Sequence, residues 1–240
     1  MGMKTLQEII DRGKRIVFFG GAGVSTASGI PDFRSADGLF RQKWGDLTPE
    51  MMLSQSFFYL HPAQFFEFYR AYMLHPEARP NAAHRLLAQL EEKKKLRGVV
   101  TQNIDGLHRM AGNRLVYEIH GSVHENHCMD CNREYDLNWV LSTRGVPKCE
   151  KCGGIVKPSV VLYGEGLEKY TCMGACREIS NCDVLIVAGT SLEVEPAASF
   201  IDYFRGRELV VINREETKAD ARATLVLHGD IDEILGEIRA

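Results

Sequence analysis

The apolar run at residues 16–19 and the glycine-rich stretch after it constrain the fold more than any other feature. The run lies between two basic residues and a glycine, which is typical of a strand buried on both faces. Glycines at the end of such a strand let the backbone come close to a ligand. A following helix, with its first N–H groups facing a phosphate, could be capped by Ser25, Thr26 or Ser28. The dinucleotide fingerprint needs a third glycine where Thr26 stands, so a plain glycine turn remains the alternative.

Further apolar runs alternate with helical patterns along the chain, and they occupy residues 98–101, 116–119, 183–188, 209–212 and 225–227. This alternation predicts an α/β protein with a mostly parallel sheet covered on both faces. Small or polar residues follow most of the runs, namely Gly20, Gln102, Asn103, His120, Gly189, Thr190, Ser191 and Asn213. Ligands bind beyond the carboxyl ends of strands in such sheets, so the pattern predicts a nucleotide-sized site. Turn chemistry alone also accounts for glycine and asparagine at these places.

Charge and composition exclude several classes of protein. Lysine and arginine number 29 against 32 acidic residues, and a net charge of −3 does not favour general binding to nucleic acid or to an anionic membrane. No apolar run approaches the length of a membrane span, and the first residues lack the apolar core of a signal peptide. Seven cysteines, four of them in two C-x-x-C pairs, favour metal binding in a reducing compartment. We therefore expect a cytoplasmic protein.

The two C-x-x-C pairs break the strand–helix alternation and predict a zinc ribbon. Four thiolates fill the tetrahedral coordination of zinc and leave no position for water, so the metal would be structural. His124 and His127 lie close by in sequence and are weaker candidates as ligands. Acidic and basic residues balance in this module, which favours a packed insertion over a DNA clamp. The predicted ligands are Cys128, Cys131, Cys149 and Cys152.

A second irregular region precedes the helix predicted over residues 80–94. Residues 29–44 lack periodicity and predict a long loop, of the kind that often serves a ligand site. Residues 49–54 and 62–74 predict helices that begin at proline. The many aromatic residues of this region are interpreted as helix core.

Short motifs occur in order along the chain, at residues 21–25 (GAGVS), 29–34 (GIPDFR), 101–108 (TQNIDGLH), 120–121 (HG), 157–165 (KPSVVLYGE) and 189–192 (GTSL). Together with the four cysteines, they resemble the sirtuin family, the NAD-dependent protein-lysine deacylases, in the short form of bacteria and archaea. The resemblance implies a Rossmann-type doubly wound large domain, and a small domain made of the zinc ribbon and a helical insertion. The implied large domain comprises residues 1–40, 75–121 and 166–240, and the small domain residues 41–74 and 122–165.

The resemblance also implies roles for individual residues. His120 would be the general base, a task that suits an imidazole titrating near neutral pH, and Asn103 would be the second catalytic residue. An acetylated protein or peptide would add as a strand along Val161, Leu162 and Tyr163. The implied NAD contacts are Gly21, Ala22, Gly23, Thr26, Asp32, Phe33, Arg34, Gln102, Asn103, Ile104, Asp105, Gly189, Thr190, Ser191, Asn213, Asp230 and Ile231.

The implied reaction transfers an acyl group from lysine to ADP-ribose, with nicotinamide, O-acyl-ADP-ribose and free lysine as products. Family members that remove acidic acyl groups carry a Tyr-x-x-Arg pair, whereas this chain has Tyr69 and Tyr72 at the corresponding places. We therefore expect a preference for acetyl and other short, neutral groups. The alternatives are protein ADP-ribosyl transfer, an NAD-sensing zinc-ribbon module without turnover, and an NAD-linked oxidoreductase, which the missing third glycine disfavours.

Overall fold

The structure is a computed structural model that describes residues 5–33, Gly38 and residues 47–240. Its strands are β1 (Ile16–Gly20), β2 (Leu96–Thr101), β3 (Val116–Glu118), β4 (Gly121–Cys128), β5 (Glu134–Asp136), β6 (Val156–Val160), β7 (Val184–Ala188), β8 (Glu208–Asn213) and β9 (Leu225–His228). Its helices are α1 (Leu6–Arg12), α2 (Pro49–Met52), α3 (Gln55–Leu60), α4 (Pro62–Tyr72), α5 (Ala82–Glu92), α6 (Leu107–Ala111), α7 (Leu137–Ser142), α8 (Lys169–Asn181) and α9 (Ile231–Gly236).

Six strands form one parallel sheet in the order β3-β2-β1-β7-β8-β9. This is the doubly wound order, in which the chain reverses direction across the sheet between β1 and β7. Every residue of β1 is buried, because strands pair on both of its edges and helices cover both of its faces. The predicted parallel α/β sheet is confirmed.

The two faces of this sheet pack separate cores. Ile16 and Phe18 of β1 join one core together with apolar residues of α1, α5 and α9. Val17 and Phe19 point the other way and pack with residues of α8 and of the short helical stretch Ala197–Tyr203. The period of two along a strand thus divides one apolar run between two layers.

A second sheet, of order β5-β4-β6, is antiparallel and carries the cysteine pairs. Aromatic residues of α3 and α4 pack against it, and one core joins Phe58, Phe65 and Tyr69 to Val123 and Leu162. The interpretation of the aromatic residues as helix core is therefore correct. The division into two domains with the boundaries given above stays a prediction.

The predicted helix after the glycine-rich stretch is wrong. Two short 3-10 turns, Ala22–Val24 and Thr26–Ser28, stand in its place, and neither has a side-chain cap. The Thr26 hydroxyl donates to the Gly23 carbonyl at 3.1 Å. Most of the loop predicted over residues 29–44, with Arg34, lies outside the described residues. Among the helices of the described ranges, none is both long and apolar enough to cross a bilayer.

Candidate functional site

A cavity of about 610 Å³ lies beyond the carboxyl ends of the parallel strands, between the large sheet and the small one. The predicted convergence of strand ends is therefore confirmed. Of the residues predicted to act in catalysis or to bind NAD or substrate, only Arg34 falls outside the described residues. The others border this cavity: Gly21, Ala22, Gly23, Thr26, Asp32, Phe33, Gln102, Asn103, Ile104, Asp105, His120, Val161, Leu162, Tyr163, Gly189, Thr190, Ser191, Asn213, Asp230 and Ile231.

The glycines at the end of β1 pack against backbone from the end of β7. Gly23 N–H donates to the Gly189 carbonyl at 2.9 Å, and a Cβ added to Gly23 would lie 2.8 Å from the Gly189 Cα. Gly189 itself has φ +62°, where an added Cβ would lie 2.5 Å from the Val24 nitrogen. A residue with a side chain at either place would force the two strand ends apart. Glycine is thus required here for close packing of backbone on backbone at the cavity floor.

A chain of side-chain hydrogen bonds crosses this floor. The Asn103 amide donates to Ser25 Oγ at 3.0 Å, and Ser25 Oγ donates to Asp105 Oδ2 at 2.7 Å. The other oxygen of Asp105 accepts the N–H of Leu107 at 2.9 Å, at the start of α6. Ser25 is 1% exposed, so its hydroxyl has no access to bulk water. These hydrogen bonds fix the orientation of the Asn103 side chain, which is buried and borders the cavity.

His120 lies where β3 passes into β4. Its Nδ1 is 2.9 Å from the Gln102 carbonyl oxygen, and the Gln102 side chain in turn donates to Thr190 Oγ1 at 2.9 Å. Burial lowers the pKa of His120, and the bond to Gln102 offsets part of this shift. Gly121 follows with φ +78°, and an added Cβ would lie 1.9 Å from the Ser159 oxygen. The imidazole is therefore neutral at physiological pH and held between two strand ends.

Polar groups line the other end of the cavity, where β8 and β9 end. The Arg214 guanidinium donates to Asp230 Oδ2 at 2.6 Å, and this bond lowers the pKa of Asp230. The second oxygen of Asp230 accepts the N–H of Asp232 at 2.9 Å and so caps α9. Asn213 donates its amide to the Glu215 carbonyl at 2.9 Å. A ribose or a purine would meet hydrogen-bonding groups on this wall.

The segment after β6 borders the cavity from the small-sheet side. Val161 N–H donates to the His120 carbonyl at 2.9 Å, and Tyr163 N–H donates to the Leu53 carbonyl at 3.0 Å. Leu162 N–H donates to the Glu165 carboxylate at 2.9 Å. These three N–H groups are therefore occupied within the chain. The Leu162 carbonyl accepts the Glu165 N–H and the Tyr163 carbonyl accepts the Gln55 N–H, each at 2.9 Å. A peptide strand would therefore meet side chains and already bonded main-chain groups over most of residues 161–163.

The four predicted zinc ligands come together at the edge of the small sheet, with all four Sγ atoms within 4.8 Å of one another. Cys128 Sγ lies 3.4 Å from Cys152 Sγ, and Cys131 Sγ lies 3.6 Å from Cys149 Sγ. A tetrahedral zinc with Zn–S bonds of about 2.3 Å requires S–S separations of about 3.8 Å, so the arrangement fits that ion. The Tyr135 hydroxyl donates to Cys149 Sγ at 3.2 Å and lowers the pKa of that thiol to about 6.

The two histidines considered as alternative zinc ligands lie elsewhere. His124 Nε2 is 3.0 Å from the Asp105 carbonyl oxygen, and His127 Nδ1 is 3.0 Å from Ser159 Oγ. Cys172 and Cys176 are half-buried on α8, and Cys182 after it is buried. Burial raises the pKa of each of these three thiols, so they stay protonated and weakly nucleophilic.

Comparison with known proteins identifies the family. The Sir2 family model matches residues 21–196, which is most of the chain and includes the small sheet and strands β2, β3 and β7 of the large one. The chain belongs to the Sir2 family. The resemblance to sirtuins drawn from the motifs is thereby confirmed, since the match covers the glycine-rich stretch, His120 and the four cysteines.

Full-length Sir2 relatives occur in several bacteria. A protein of Clostridium perfringens (strain 13 / Type A), named NAD-dependent protein deacetylase, is 55% identical over 238 residues and each chain is covered to 98%. Proteins of the same name from Cutibacterium acnes and Staphylococcus aureus (strain N315) are 52% and 44% identical. The match to the Cutibacterium acnes protein covers 98% of this chain and 97% of the relative. The match to the Staphylococcus aureus protein covers 95% of this chain and 94% of the relative.

Solved Sir2 structures share the fold. One is a Sir2 variant with a deacetylated p53 peptide and 3′-O-acetyl ADP ribose, with a TM-score of 0.89 at 36% identity, over 98% of this chain and 96% of that chain. Another is Sir2 with a p53 peptide and NAD+, with a TM-score of 0.85 at 38% identity and the same coverage. The doubly wound Sir2 architecture with its cysteine-bearing small sheet is thus shown for this chain.

Several residues of this Sir2 site were not predicted from the sequence. Ser25 was considered only as a helix cap, yet it links Asn103 to Asp105. Arg214 also borders the cavity, as do Tyr69 and Tyr72, which the sequence had placed only at the positions of the Tyr-x-x-Arg pair. Arg214 had one readable signal, since it adjoins Asn213 at a strand end. The Ser25 contact had none, because it joins residues 80 positions apart in the chain.

Two buried histidines beneath the Sir2 site predict acid sensitivity. The His84 and His108 rings are 4.6 Å apart, and burial lowers the pKa of His84 to about 4 and that of His108 well below its usual value. Below about pH 6.5 the unfolded chain therefore binds more protons than the native chain, so stability falls as pH falls. The free energy of unfolding should drop by up to roughly 1.4 kcal/mol per pH unit for each histidine that stays neutral.

Urea unfolding at a series of pH values from 6.5 to 5 measures this slope. His120 contributes in the same direction, because its pKa is also lowered. A His84→Gln variant, which keeps a polar group beside Asn81, should show a smaller slope than the unmodified protein. A stability that does not change over this range would contradict the prediction.

Proposed function

We propose that the chain removes acetyl and similarly short, neutral acyl groups from lysine side chains of proteins, in a reaction that consumes NAD and releases nicotinamide. The observation that carries the proposal is the neutral His120 imidazole, held by Gln102 at the wall of a cavity where six strand ends meet. That cavity also adjoins the segment of residues 161–163, so a base, a nucleotide site and a peptide site share one space.

The relatives support the removal of acetyl groups, the use of NAD and the peptide substrate. Proteins named NAD-dependent protein deacetylase match the chain over nearly its whole length. The solved structures hold a p53 peptide with NAD+ or with 3′-O-acetyl ADP ribose, the second of which joins an acetyl group to ADP-ribose. A peptide substrate and NAD consumption follow for this chain by similarity.

The residues present fit NAD. When bound, NAD supplies a ribose carbon that becomes electrophilic as nicotinamide departs. Residues 21–26 would hold the pyrophosphate and its neighbouring ribose, and residues 189–191, Asn213, Asp230 and Ile231 the adenosine half. Asn103, fixed by Ser25, would orient a polar group in the nicotinamide half of the cavity. His120 would accept a proton at Nε2, because Nδ1 already donates to a carbonyl that can only accept.

The four cysteines fit a structural zinc ion, as their separations and the thiolate-only donor set indicate. Their thiolates need a reducing environment, and all seven cysteines of the chain are free. We place the protein in the cytoplasm on that ground. The helices of residues 49–72 and the zinc ribbon would act as one small domain, because they share a core.

A comparison of peptides tests the acyl preference. Acetyl-lysine peptides should be turned over at least about ten-fold faster than succinyl-lysine peptides, because an extra carboxylate in the cavity would need a cation that Tyr69 and Tyr72 cannot supply. Kinetics with two peptides of identical sequence measure the ratio. Comparable rates for the two acyl groups would refute the preference and leave deacylation itself intact.

Mass spectrometry of an acetyl-lysine peptide, with and without NAD, tests the proposed function. Loss of the acetyl group should require NAD and should yield nicotinamide and O-acetyl-ADP-ribose. Attachment of ADP-ribose to protein would favour ADP-ribosyl transfer. Binding of NAD without nicotinamide release would favour an NAD sensor, and NAD-independent deacetylation would overturn the mechanism.

A further inference from the structure

Lys157 is buried in the small sheet although it carries a charge. Its side chain is 10% exposed, and the residue pairs with His127 across β4 and β6. The ammonium donates to Glu165 Oε2 at 3.1 Å and to the Val160 carbonyl at 3.1 Å, and the Pro158 carbonyl lies 3.3 Å away. These acceptors match the three donors of an ammonium group, as burial of a lysine requires.

Glu165 connects this lysine to the segment that borders the cavity. The oxygen that accepts from Lys157 also accepts the Leu162 N–H at 2.9 Å, and Glu165 N–H donates back to the Leu162 carbonyl at 2.9 Å. These two bonds close a tight turn with Tyr163 inside it. The ion pair therefore holds the end of β6 and the turn after it in one arrangement.

We propose that Lys157 is a positioning residue for the acylated substrate, and that it acts through Glu165 to fix residues 161–163 in the conformation that receives the acyl-lysine. The inference rests on the proposed function of this segment. Among the described residues that border the cavity, Lys157 is absent while Val160, Leu162 and Glu165 are present. Its effect on a substrate is thus transmitted through the turn.

A positioning role for Lys157 predicts a specific change in the kinetic constants. NAD would bind at the opposite wall, on residues 21–26 and 189–191, so its affinity should not depend on Lys157. Loss of the ion pair leaves the Glu165 carboxylate half-buried without its cation, and the turn rearranges to hydrate it. The peptide then meets a segment that must be ordered on binding, which raises KM more than it lowers kcat.

A Lys157→Met variant tests this, because methionine keeps an unbranched side chain as far as Cε and removes the charged nitrogen. KM for an acetyl-lysine peptide should rise about ten-fold or more, with kcat within about three-fold and the calorimetric Kd for NAD unchanged. Lys148→Met, an exposed lysine in the same module, is the matched control and should leave KM unchanged. If the unmodified protein is active and Lys157→Met has an unchanged KM, the inference about Lys157 is wrong and the proposed function still stands. An unmodified protein that is inactive on acetyl peptides overturns the proposed function and this inference with it.

The double variant Lys157→Met with Glu165→Gln separates positioning from a general loss of stability. A neutral amide oxygen can still accept the Leu162 N–H and needs no cation, so KM should recover part of its rise. A KM in the double variant that is higher than in Lys157→Met would contradict the role. If Lys157→Met does not fold, as judged by circular dichroism, Glu165→Gln alone carries the test, with a rise in KM of about three-fold or more expected. An unchanged KM in that variant would then overturn the inference.

Discussion

Replacing His120 with alanine should lower kcat for deacetylation by at least about 100-fold, the usual loss when a general base is removed. The reason lies in the 2.9 Å hydrogen bond between Nδ1 and the Gln102 carbonyl. A carbonyl oxygen only accepts, so the proton of the neutral ring stays on Nδ1 and the lone pair stays on Nε2. Mass spectrometry of an acetyl-lysine peptide in the presence of NAD measures the loss.

Two further measurements separate a chemical role from a structural one. Added imidazole should partly restore the His120→Ala variant, because it can enter the space left by the ring and accept the same proton. His61→Gln, an exposed histidine where α3 meets α4, is the control and should retain normal activity. Activity of His120→Ala within about three-fold of the unmodified protein would show that no general base acts here.

The pH dependence of kcat follows from the same residue. His120 can accept a proton only when it is neutral, so activity should rise with pH through the pKa of His120. Burial lowers that pKa, and the midpoint of the rise should therefore lie below the ordinary histidine value of about 6.5. A midpoint above that value would contradict the buried, neutral imidazole.

The sheet of this protein could be predicted from sequence because its signals are local. The run at residues 16–19 is apolar throughout, and such a short run bounded by basic residues and glycine is typical of a strand with cover on both faces. Polar residues at the ends of parallel strands must meet at one edge, so Gln102, His120 and Thr190 could be placed together. The spacing of the four cysteines likewise predicts that they lie together at one zinc site.

The supporting contacts could not be predicted, because they join residues that only the fold brings together. Ser25 has the composition of a helix cap, yet its hydroxyl donates to Asp105. The charge of Lys157 favours a solvated side chain, yet the end of β6 and a turn surround it with acceptors. In both cases a tertiary hydrogen bond, and not local propensity, determines where the side chain lies, because a buried polar group needs a hydrogen-bond partner.

Cys128→Ser should abolish tight zinc binding and unfold the small antiparallel sheet. Structural zinc contributes about 10–16 kcal/mol in small zinc modules, which is comparable to the whole stability of many domains. The core around the cysteines is small, with Tyr135 and Val156 as its main buried members, so it cannot replace that contribution. Zinc content should fall from one ion per chain to well below one. Cys176→Ser, at a half-buried position on α8, is the matched control and should keep its zinc.

Trp139 offers a local reporter of this unfolding. Its ring lies 3.9 Å from that of Tyr135, whose hydroxyl donates to Cys149 Sγ. In a Trp44→Phe background Trp139 is the sole tryptophan, so a red shift of its emission on chelation would report exposure at the metal site. The parallel sheet has its own two cores and should stay folded, so far-UV circular dichroism should change much less than the fluorescence.

The loss of zinc should also impair the active site, because it changes the conformation of residues 161–163, the proposed substrate segment. β6 carries Val156 at the metal site and Lys157 beside it, and its end at Val160 continues into the turn that Glu165 closes. Unfolding of the small sheet therefore releases residues 161–163, while residues 21–26 and 189–191 keep their mutual contacts on the large sheet. The Cys128→Ser variant should then bind NAD with normal affinity and fail to deacetylate peptides. If it lost NAD binding as well, the two sheets would be one cooperative unit; if it kept its activity, the zinc ribbon would not hold the substrate segment.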